Sequence, residues 1–134
     1  METMDILSIM DYIDRNHKAL IKFMFVCSKK FSNFFLPTKK IGYFDLLAYD
    51  DNELHRIKIV CTETKQPSGN YIANLLVSGG HGNKPNKKIH FCYTQCEFVF
   101  VWTPEHDYLI PSLKITQNKA ITLSMFEEFK LDAS

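Results

Sequence analysis

Residues 43–62 of the chain read YFDLLAYDDNELHRIKIVCT, and the architecture is organised around this stretch. The mostly apolar residues 43–49 and the mixed run 55–62 flank Asp50, Asp51 and Asn52, whose side chains favour a tight turn. This arrangement predicts a hairpin of two antiparallel strands. Because side chains alternate between the two faces of a strand, every second residue of each run is expected to share a face.

Elements on both sides of this hairpin complete an α/β pattern. Residues 4–30 carry apolar side chains at helical spacing and predict one helix or two consecutive helices. Residues 97–102 are apolar on both faces, which predicts a central buried strand. Ser124 and Glu127 have capping-box spacing and predict a terminal helix. Short strands are expected at 34–36, 108–110 and 121–123, and an exposed loop at 78–88. The order predicts a single α/β domain over residues 1–134, with a mixed β-sheet flanked by helices.

Length and composition exclude several classes of protein. A chain of 134 residues with 46% apolar residues can bury one ordinary core, which excludes intrinsic disorder. No apolar run approaches the roughly 20 residues of a membrane-spanning helix, so no membrane partner is expected. Residues 1–14 carry four acids and no base, unlike a secretory signal. We therefore expect an intracellular protein, cytoplasmic or nuclear, that is not secreted.

The four cysteines raise the question of a zinc site. Cys61, His90, Cys92 and Cys96 are the candidate ligands. They lack the closely spaced ligand pairs that are typical of zinc sites, and cysteine is also one of the residue types most often buried. The sequence therefore favours reduced, buried cysteines over a metal centre.

Charge is unevenly distributed although the net charge is only +1. Residues 15–40 hold seven bases and no acid, and residues 64–96 hold four lysines and no acid. Two such stretches either fold into a positive face that attracts phosphate or form ordinary solvated surfaces. Only two of the sixteen bases are arginines, which argues against dense reading of guanine bases.

Several strings, in order and at matching spacing, resemble the PD-(D/E)XK nuclease superfamily, and most closely the small group I intron homing endonucleases. The resemblance runs from about residue 16 to residue 130 and implies a restriction-endonuclease-like fold. It also implies binding to double-stranded DNA and self-association into a homo-oligomer. The matching strings are Phe34-Phe35-Leu36-Pro37, Phe44-Asp45-Leu46-Leu47, residues 57–62, Tyr93 ahead of residues 97–102, and Tyr108-Leu109-Ile110-Pro111.

The motif of this superfamily is altered in the chain. Such nucleases hold Mg²⁺ with a carboxylate on one strand and an acid or Gln on the next, followed two residues later by a Lys. The resemblance assigns the first carboxylate to Asp45. Lys58 stands where the acid or Gln belongs, and Val60 stands where the Lys belongs. An ammonium repels Mg²⁺, so the resemblance implies lost or altered catalysis, with Lys58 paired to Asp45 in place of the metal.

A second register restores the motif. Glu63-Thr64-Lys65 is a literal E-x-K that follows Asp45 by 18 residues. It would make Asp45, Glu63 and Lys65 catalytic, with Asp45 and Glu63 as ligands of a Mg²⁺ cofactor. Glu63 and Lys65 share the apolar face of their strand, however, so they reach the site only through a bulge or beyond the end of the strand. Without this register, no cofactor is expected.

The resemblance implies that the basic loop approaches DNA, where its lysines would neutralise phosphates. The alternative is a solvated loop without a ligand. Three functions remain open: a DNA-binding protein without catalysis, an active Mg²⁺-dependent endonuclease, and a protein-interaction module on the same fold. The candidate DNA-binding residues are Lys39, Lys40, His81, Lys84, Asn86, Lys87 and Lys88.

Overall fold

The chain is built around a six-stranded mixed sheet. Its structure is a computed structural model that describes residues 15–37, 43–78 and 88–131. The helix α1 spans Arg15–Val26, and the strands are β1 (Asn33–Phe35), β2 (Leu46–Tyr49), β3 (Leu54–Cys61), β4 (Ile72–Asn74), β5 (Val77–Ser78), β6 (Lys88–Ile89), β7 (Phe98–Trp102), β8 (Asp107–Pro111), β9 (Ala120–Thr122) and β10 (Lys130–Leu131). The sheet order is β1-β2-β3-β7-β8-β10. Only β3 and β7 run parallel in it, so the predicted mixed α/β fold is confirmed.

The hairpin predicted from residues 43–62 forms β2 and β3. Leu46 lies opposite Ile57 in the antiparallel register of the two strands. The Asp50 carboxylate accepts hydrogen bonds from the backbone N–H groups of Asn52 and Glu53, at 3.1 and 3.2 Å, and so closes the turn. Asp residues tolerate the left-handed backbone that such turns need, and Asp51 adopts it with a φ of 82°.

One face of the sheet, which we call the helix-side face, is covered by α1. Ala19, Phe23 and Cys27 follow one another at helical spacing and are buried. The Phe23 ring packs edge-on against Phe100 of β7 with ring centroids 5.2 Å apart. The helix of residues 4–30 is therefore confirmed over Arg15–Val26, and its first part, residues 4–14, lies outside the described residues.

The opposite face, which we call the far face, is covered by short elements instead of a second α-helix. Buried residues of β3, β7 and β8 pack there against residues of β4, β9 and the 3₁₀ segment Leu123–Phe129. Strands β4 and β9 pair in a small antiparallel sheet. The side chains of the central strands that form this face include Lys58, Val60, Val99, Val101 and Ile110.

A helix forms at the predicted terminal segment, but the predicted capping box of Ser124 and Glu127 is wrong. The segment Leu123–Phe129 is a 3₁₀ helix with non-helical backbone angles at Phe126, and its N-cap Thr122 makes no side-chain capping bond. Leu123 and Phe126 are both buried. A spacing of three residues buries this pair on a 3₁₀ turn, and tertiary packing therefore overrides the local capping signal.

Four strands were not predicted from the sequence, namely β4, β5, β6 and β10, which contain only two or three residues each. Strands β5 and β6 flank the predicted loop and pair with each other in antiparallel fashion. Residues 79–87, which connect β5 to β6 in the sequence, lie outside the described residues.

Among the described residues, none of the helices has the length and apolar character required to cross a bilayer.

Candidate functional site

Asp45 lies immediately before β2 and bonds to β3 on either side of Lys58. Its backbone N–H donates to the carbonyl of Ile57 at 2.8 Å. Its carboxylate Oδ2 accepts from the backbone N–H of Ile59 at 2.7 Å. The Asp45 side chain thus accepts the hydrogen bond of a β3 backbone N–H group. This bond holds the exposed carboxylate at the edge of the far face.

Lys58 and Val60 point from β3 into the far face. Lys58 is only 8% exposed, and Val60 belongs to the apolar core. Their parallel neighbours on β7 are Val99 and Val101. Burial lowers the pKa of Lys58, because the ammonium loses its hydration, and attraction by Asp45 partly opposes this shift. The two charges therefore act on each other across the hairpin.

Arg56 lies two residues before Lys58 on the same strand face and has a very different environment. Its guanidinium Nε is 3.1 Å from both carboxylate oxygens of Glu97, and its Nη2 is 2.5 Å from Oε2. The backbone N–H of Arg56 also donates to Glu97 Oε1 at 2.7 Å. These hydrogen bonds raise the pKa of Arg56 and lower the pKa of Glu97.

An open groove of 480 Å³ lies beside this ion pair. It has exposed apolar side chains at its rim, Tyr93 at 53% and Leu113 at 76% exposure. Cys96 and Ser112 form part of its wall and contact each other through Sγ and Oγ at 3.4 Å. The groove therefore has one ion pair in an otherwise mainly apolar lining.

The structure does not bring Glu63 to Lys58. Strand β3 ends at Cys61, and the Cys61 thiol donates to Glu63 Oε1 at 3.8 Å. Cys61 packs against the helix-side core, whereas Lys58 faces the other side of the sheet. The three residue steps from Lys58 to Cys61 span about 10 Å in an extended strand. Glu63 therefore lies beyond the strand and next to the opposite face.

Lys65 is engaged elsewhere on the surface. Its Nζ is 2.7 Å from Glu105 Oε1 and lies over the Tyr71 ring at 5.5 Å from the centroid. The ion pair raises the pKa of Lys65, so the side chain is a cation held in a surface contact. A lysine that activates water needs to lie beside the metal-binding carboxylates, and the described contacts of Lys65 are with other groups.

The side chains around Asp45 do not fit Mg²⁺. One carboxylate oxygen bonds to the Ile59 N–H, the neighbouring side chain of β3 is the ammonium of Lys58, and Val60 offers no ligand atom. Mg²⁺ requires a near-octahedral shell of oxygen ligands. Within the described ranges, no group of three or more His, Cys, Asp or Glu side chains is arranged to hold a metal ion.

Most of the candidate DNA-binding residues lie outside the described ranges, namely Lys39, Lys40, His81, Lys84, Asn86 and Lys87. Lys88 is described and is exposed at the start of β6. Lys88 pairs with Ser78 in the β5–β6 ladder and directly follows the basic loop in the sequence. The other lysines of the loop are therefore connected to this short hairpin.

The overall architecture can be compared with known structures. The chain superimposes on the bacterial homing endonuclease I-Ssp6803I with a TM-score of 0.64 and 14% sequence identity. The match covers 81% of this chain and 75% of the other. The chain has a nuclease-like fold. No protein-family model matches the sequence, and no curated protein shows a significant sequence match.

Sequence reasoning missed the Arg56–Glu97 pair. The two residues are 41 positions apart and meet because Ile57 of β3 lies opposite Phe98, the first residue of β7, in the parallel register. Glu97 is the only acid between residues 64 and 104, and it directly precedes the most apolar strand. That isolated charge beside a buried strand is the signal that could have indicated a partner for it.

Proposed function

We propose that the protein binds double-stranded DNA through a PD-(D/E)XK-like domain in which metal-dependent catalysis has been lost. The proposal rests on one observation above all. In a nuclease-like fold, Asp45 bonds to the residues before and after Lys58, and Val60 lies on the same strand face as Lys58. The positions that would hold a metal and activate water in the superfamily thus carry an ammonium and an apolar side chain. DNA binding is the property of such a fold that does not need those groups.

The electrostatics at Asp45 support the loss of catalysis. A positive charge that is buried next to the first carboxylate favours the ionised form of that carboxylate, as Mg²⁺ would, but it cannot activate water. Lys58 is only 8% exposed, so its ammonium is held inside the protein on the same strand face as Val60. The lysine therefore substitutes for the charge of the metal without its chemistry.

The charge of the β5–β6 hairpin supports DNA binding. Its connecting residues and return strand carry Lys84, Lys87 and Lys88, and no acid occurs between residues 64 and 96. Lysines that neutralise phosphates release the counterions of the DNA on binding. The affinity for duplex DNA should therefore depend strongly on salt and weakly on sequence.

A filter-binding titration of duplex DNA over a series of salt concentrations tests this proposal. Changing Lys84, Lys87 and Lys88 to Ala removes up to three phosphate contacts and should lower the salt slope by about 2.7. The matched control changes Lys18, Lys29 and Lys30 to Ala, which removes the same charge from the α1 segment. The absence of salt-sensitive binding by the wild-type protein to any duplex would refute the proposal.

The alternative of an active endonuclease makes a separate prediction. If Asp45, Glu63 and Lys65 form a Mg²⁺ site after a rearrangement, plasmid nicking should appear with Mg²⁺ and disappear with EDTA or in Asp45→Ala. Asp45 bonds to β3 beside Lys58, whereas Glu63 lies beyond the end of β3 next to Cys61 of the helix-side core, and this difference argues against the arrangement. Nicking that depends on all three side chains would favour it over our proposal.

Exposed apolar side chains favour a second role in protein contacts, including self-association. Ile21 and Phe25 lie one turn apart on α1 and are 51% and 77% exposed. Apolar side chains that line up on the solvent side of a helix are typical of an interface. Sedimentation should show an oligomer that dissociates in a variant carrying Ile21→Lys and Phe25→Lys. A monomer in the wild type would remove this role for α1.

A further inference from the structure

A second acid-free segment joins the basic hairpin in the folded chain. Residues 108–126 contain no Asp or Glu, as do residues 64–96. The two segments are far apart in sequence, but β4 from the first pairs with β9 from the second. The backbone N–H of Leu123 also donates to the carbonyl of Tyr71 at 3.0 Å. The layer that covers the far face is therefore built largely from residues without negative charge.

The base of the β5–β6 hairpin is held by residues 118 and 119. On the entering arm, the backbone N–H of Leu75 donates to the carbonyl of Lys119 at 2.8 Å. On the returning arm, the backbone N–H of Phe91 donates to the carbonyl of Asn118 at 2.7 Å. Both arms of the hairpin thus bond to one two-residue segment, which fixes Lys119 where the hairpin leaves the body of the protein.

Four exposed polar residues surround this point, and we call them the hairpin-base patch: Lys88, His90, Asn118 and Lys119. Lys88 precedes the anchored Phe91 by three residues, a distance of about 10 Å in extended chain. The carbonyl of His90 accepts a hydrogen bond from Gln95 Nε2 at 2.9 Å, which ties the returning arm to the 3₁₀ turn Tyr93–Gln95. The patch is therefore a fixed surface continuous with the hairpin.

Lys119 lies on an acid-free segment and has no carboxylate partner among the described residues, in contrast to the three lysines of the described chain that form ion pairs. Lys65, Lys22 and Lys130 each lie beside a carboxylate, at 2.7, 3.8 and 2.8 Å. In residues 15–37, 43–78 and 88–131, no such carboxylate neutralises Lys119, and its own segment offers none. A positive charge without an internal counterion retains its full attraction for an external anion.

We infer that the hairpin-base patch is a second contact with the phosphate backbone of duplex DNA, in which Lys119 neutralises one phosphate. This inference rests on the proposed DNA binding and adds a contact outside the basic loop. Lys119 lies on a segment that hydrogen bonds hold to both arms of the hairpin, so a duplex that follows the hairpin toward the body of the protein reaches this side chain. Phosphate is the group recognised because an ammonium on an acid-free surface offers charge without base-reading geometry.

Fluorescence anisotropy with a labelled duplex, measured over a series of salt concentrations, tests the inference. Lys119→Ala should lower the salt slope by about 0.9 and weaken binding about eight-fold at 0.1 M salt, as expected for one lost phosphate contact. Lys119→Arg should keep the wild-type slope, and Lys119→Glu should weaken binding further. The backbone bonds of residue 119 remain in all three variants, and thermal unfolding of each confirms that the fold is retained.

Lys29→Ala is the matched control, since it removes one exposed lysine next to α1, away from the patch. Wild-type binding with the normal slope in Lys29→Ala and a reduced slope in Lys119→Ala supports the inference. An unchanged slope in Lys119→Ala, or the same reduction in both variants, overturns it while DNA binding itself stands. Absence of salt-sensitive binding by the wild-type protein overturns the proposed function and this inference together.

Discussion

Arg56 and Lys58 are two residues apart on the same face of β3, yet their surroundings shift their pKa values in opposite directions. Arg56 is fully engaged by the Glu97 carboxylate, which raises the pKa of the guanidinium. Lys58 is buried among valines, and burial lowers the pKa of its ammonium despite the attraction of Asp45. One charge therefore stabilises the fold, whereas the other is retained at a cost in free energy.

The difference separates a position whose charge supports the fold from one whose charge has no evident structural role. The Arg56–Glu97 ion pair joins β3 to the residue that directly precedes β7, so its structural role is sufficient to explain it. A buried lysine beside a carboxylate that is also bonded to the backbone has no comparable structural reason. A charge that the fold does not require is what our proposal expects if Lys58 has taken the place of a metal ion beside Asp45.

The largest effect on stability is expected at the well-paired end of this comparison. Glu97→Ala removes the acceptor of both the Arg56 guanidinium and the Arg56 backbone N–H. Because the two side chains are 39% and 36% exposed, water replaces part of the interaction. We expect the free energy of unfolding to fall by about 1.5 kcal/mol in urea denaturation, near the lower end for hydrogen bonds to charged groups.

The pH dependence sharpens this prediction. The pKa of Glu97 in the folded state lies below its ordinary value of 4.5, so the ionised form stabilises the protein fully above that pH. This contribution is lost as the pH falls through the lower folded-state pKa, and Glu97→Ala should lack that part of the acid unfolding. Glu105→Ala, which breaks the exposed ion pair with Lys65, is the control. An equal loss of stability in both variants would contradict the special role of Glu97.

A smaller effect of opposite sign is expected at Lys58. Lys58→Met keeps the volume of the side chain but removes an ammonium that loses its hydration on folding. We expect the free energy of unfolding at neutral pH to rise by about 1 kcal/mol. Lys29→Met, at an exposed position, should leave stability unchanged.

Alkaline titration distinguishes this explanation from a stabilising role for Lys58. Its folded-state pKa lies below 10.5, so between the two values the unfolded chain binds more protons and wild-type stability rises with pH. The destabilisation is complete below the folded-state pKa and absent above 10.5. Lys58→Met should lack this rise. A variant that is less stable than the wild type at neutral pH would show that Lys58 supports the fold.

The smallest effect is expected at Asp45. Asp45→Ala removes the acceptor of the Ile59 N–H at the edge of the sheet and should lower stability by about 0.7 kcal/mol. Asp45→Asn keeps an acceptor oxygen and should cost less. Amide hydrogen exchange at Ile59 reports the change directly. Unchanged exchange in Asp45→Ala would mean that the carboxylate does not hold the strand pair.

The sequence predicted those parts of the fold that depend on local patterns. Residues 98–102 are continuously apolar, residues 57–61 are apolar except for Lys58, and both segments lie in central strands. The Asp50-Asp51-Asn52 turn follows from side-chain chemistry within a few residues. The pairs β4–β9 and β5–β6 contain two or three residues each, and their pairing depends on backbone groups from distant segments. No local pattern predicts such short strands.

The candidate site was predictable only in part, for the same reason. Period-two alternation correctly puts Lys58 and Val60 on one face, and the structure places Asp45 next to that part of β3. The bond from Asp45 Oδ2 to the Ile59 N–H could not be predicted, since it requires a departure from regular pairing at the start of β2. Likewise, the link between the hairpin and residues 118–119 arises from backbone bonds that carry no sequence signal.

A plasmid-retardation experiment in Mg²⁺ is the sharpest test of DNA binding without cleavage. Supercoiled plasmid is titrated with the wild-type protein, run on a native gel, and run again after the protein has been removed. We expect the protein to retard the plasmid and the recovered DNA to be still fully supercoiled. Unretarded plasmid, or nicked and linear products that disappear with Asp45→Ala, would contradict the proposed function.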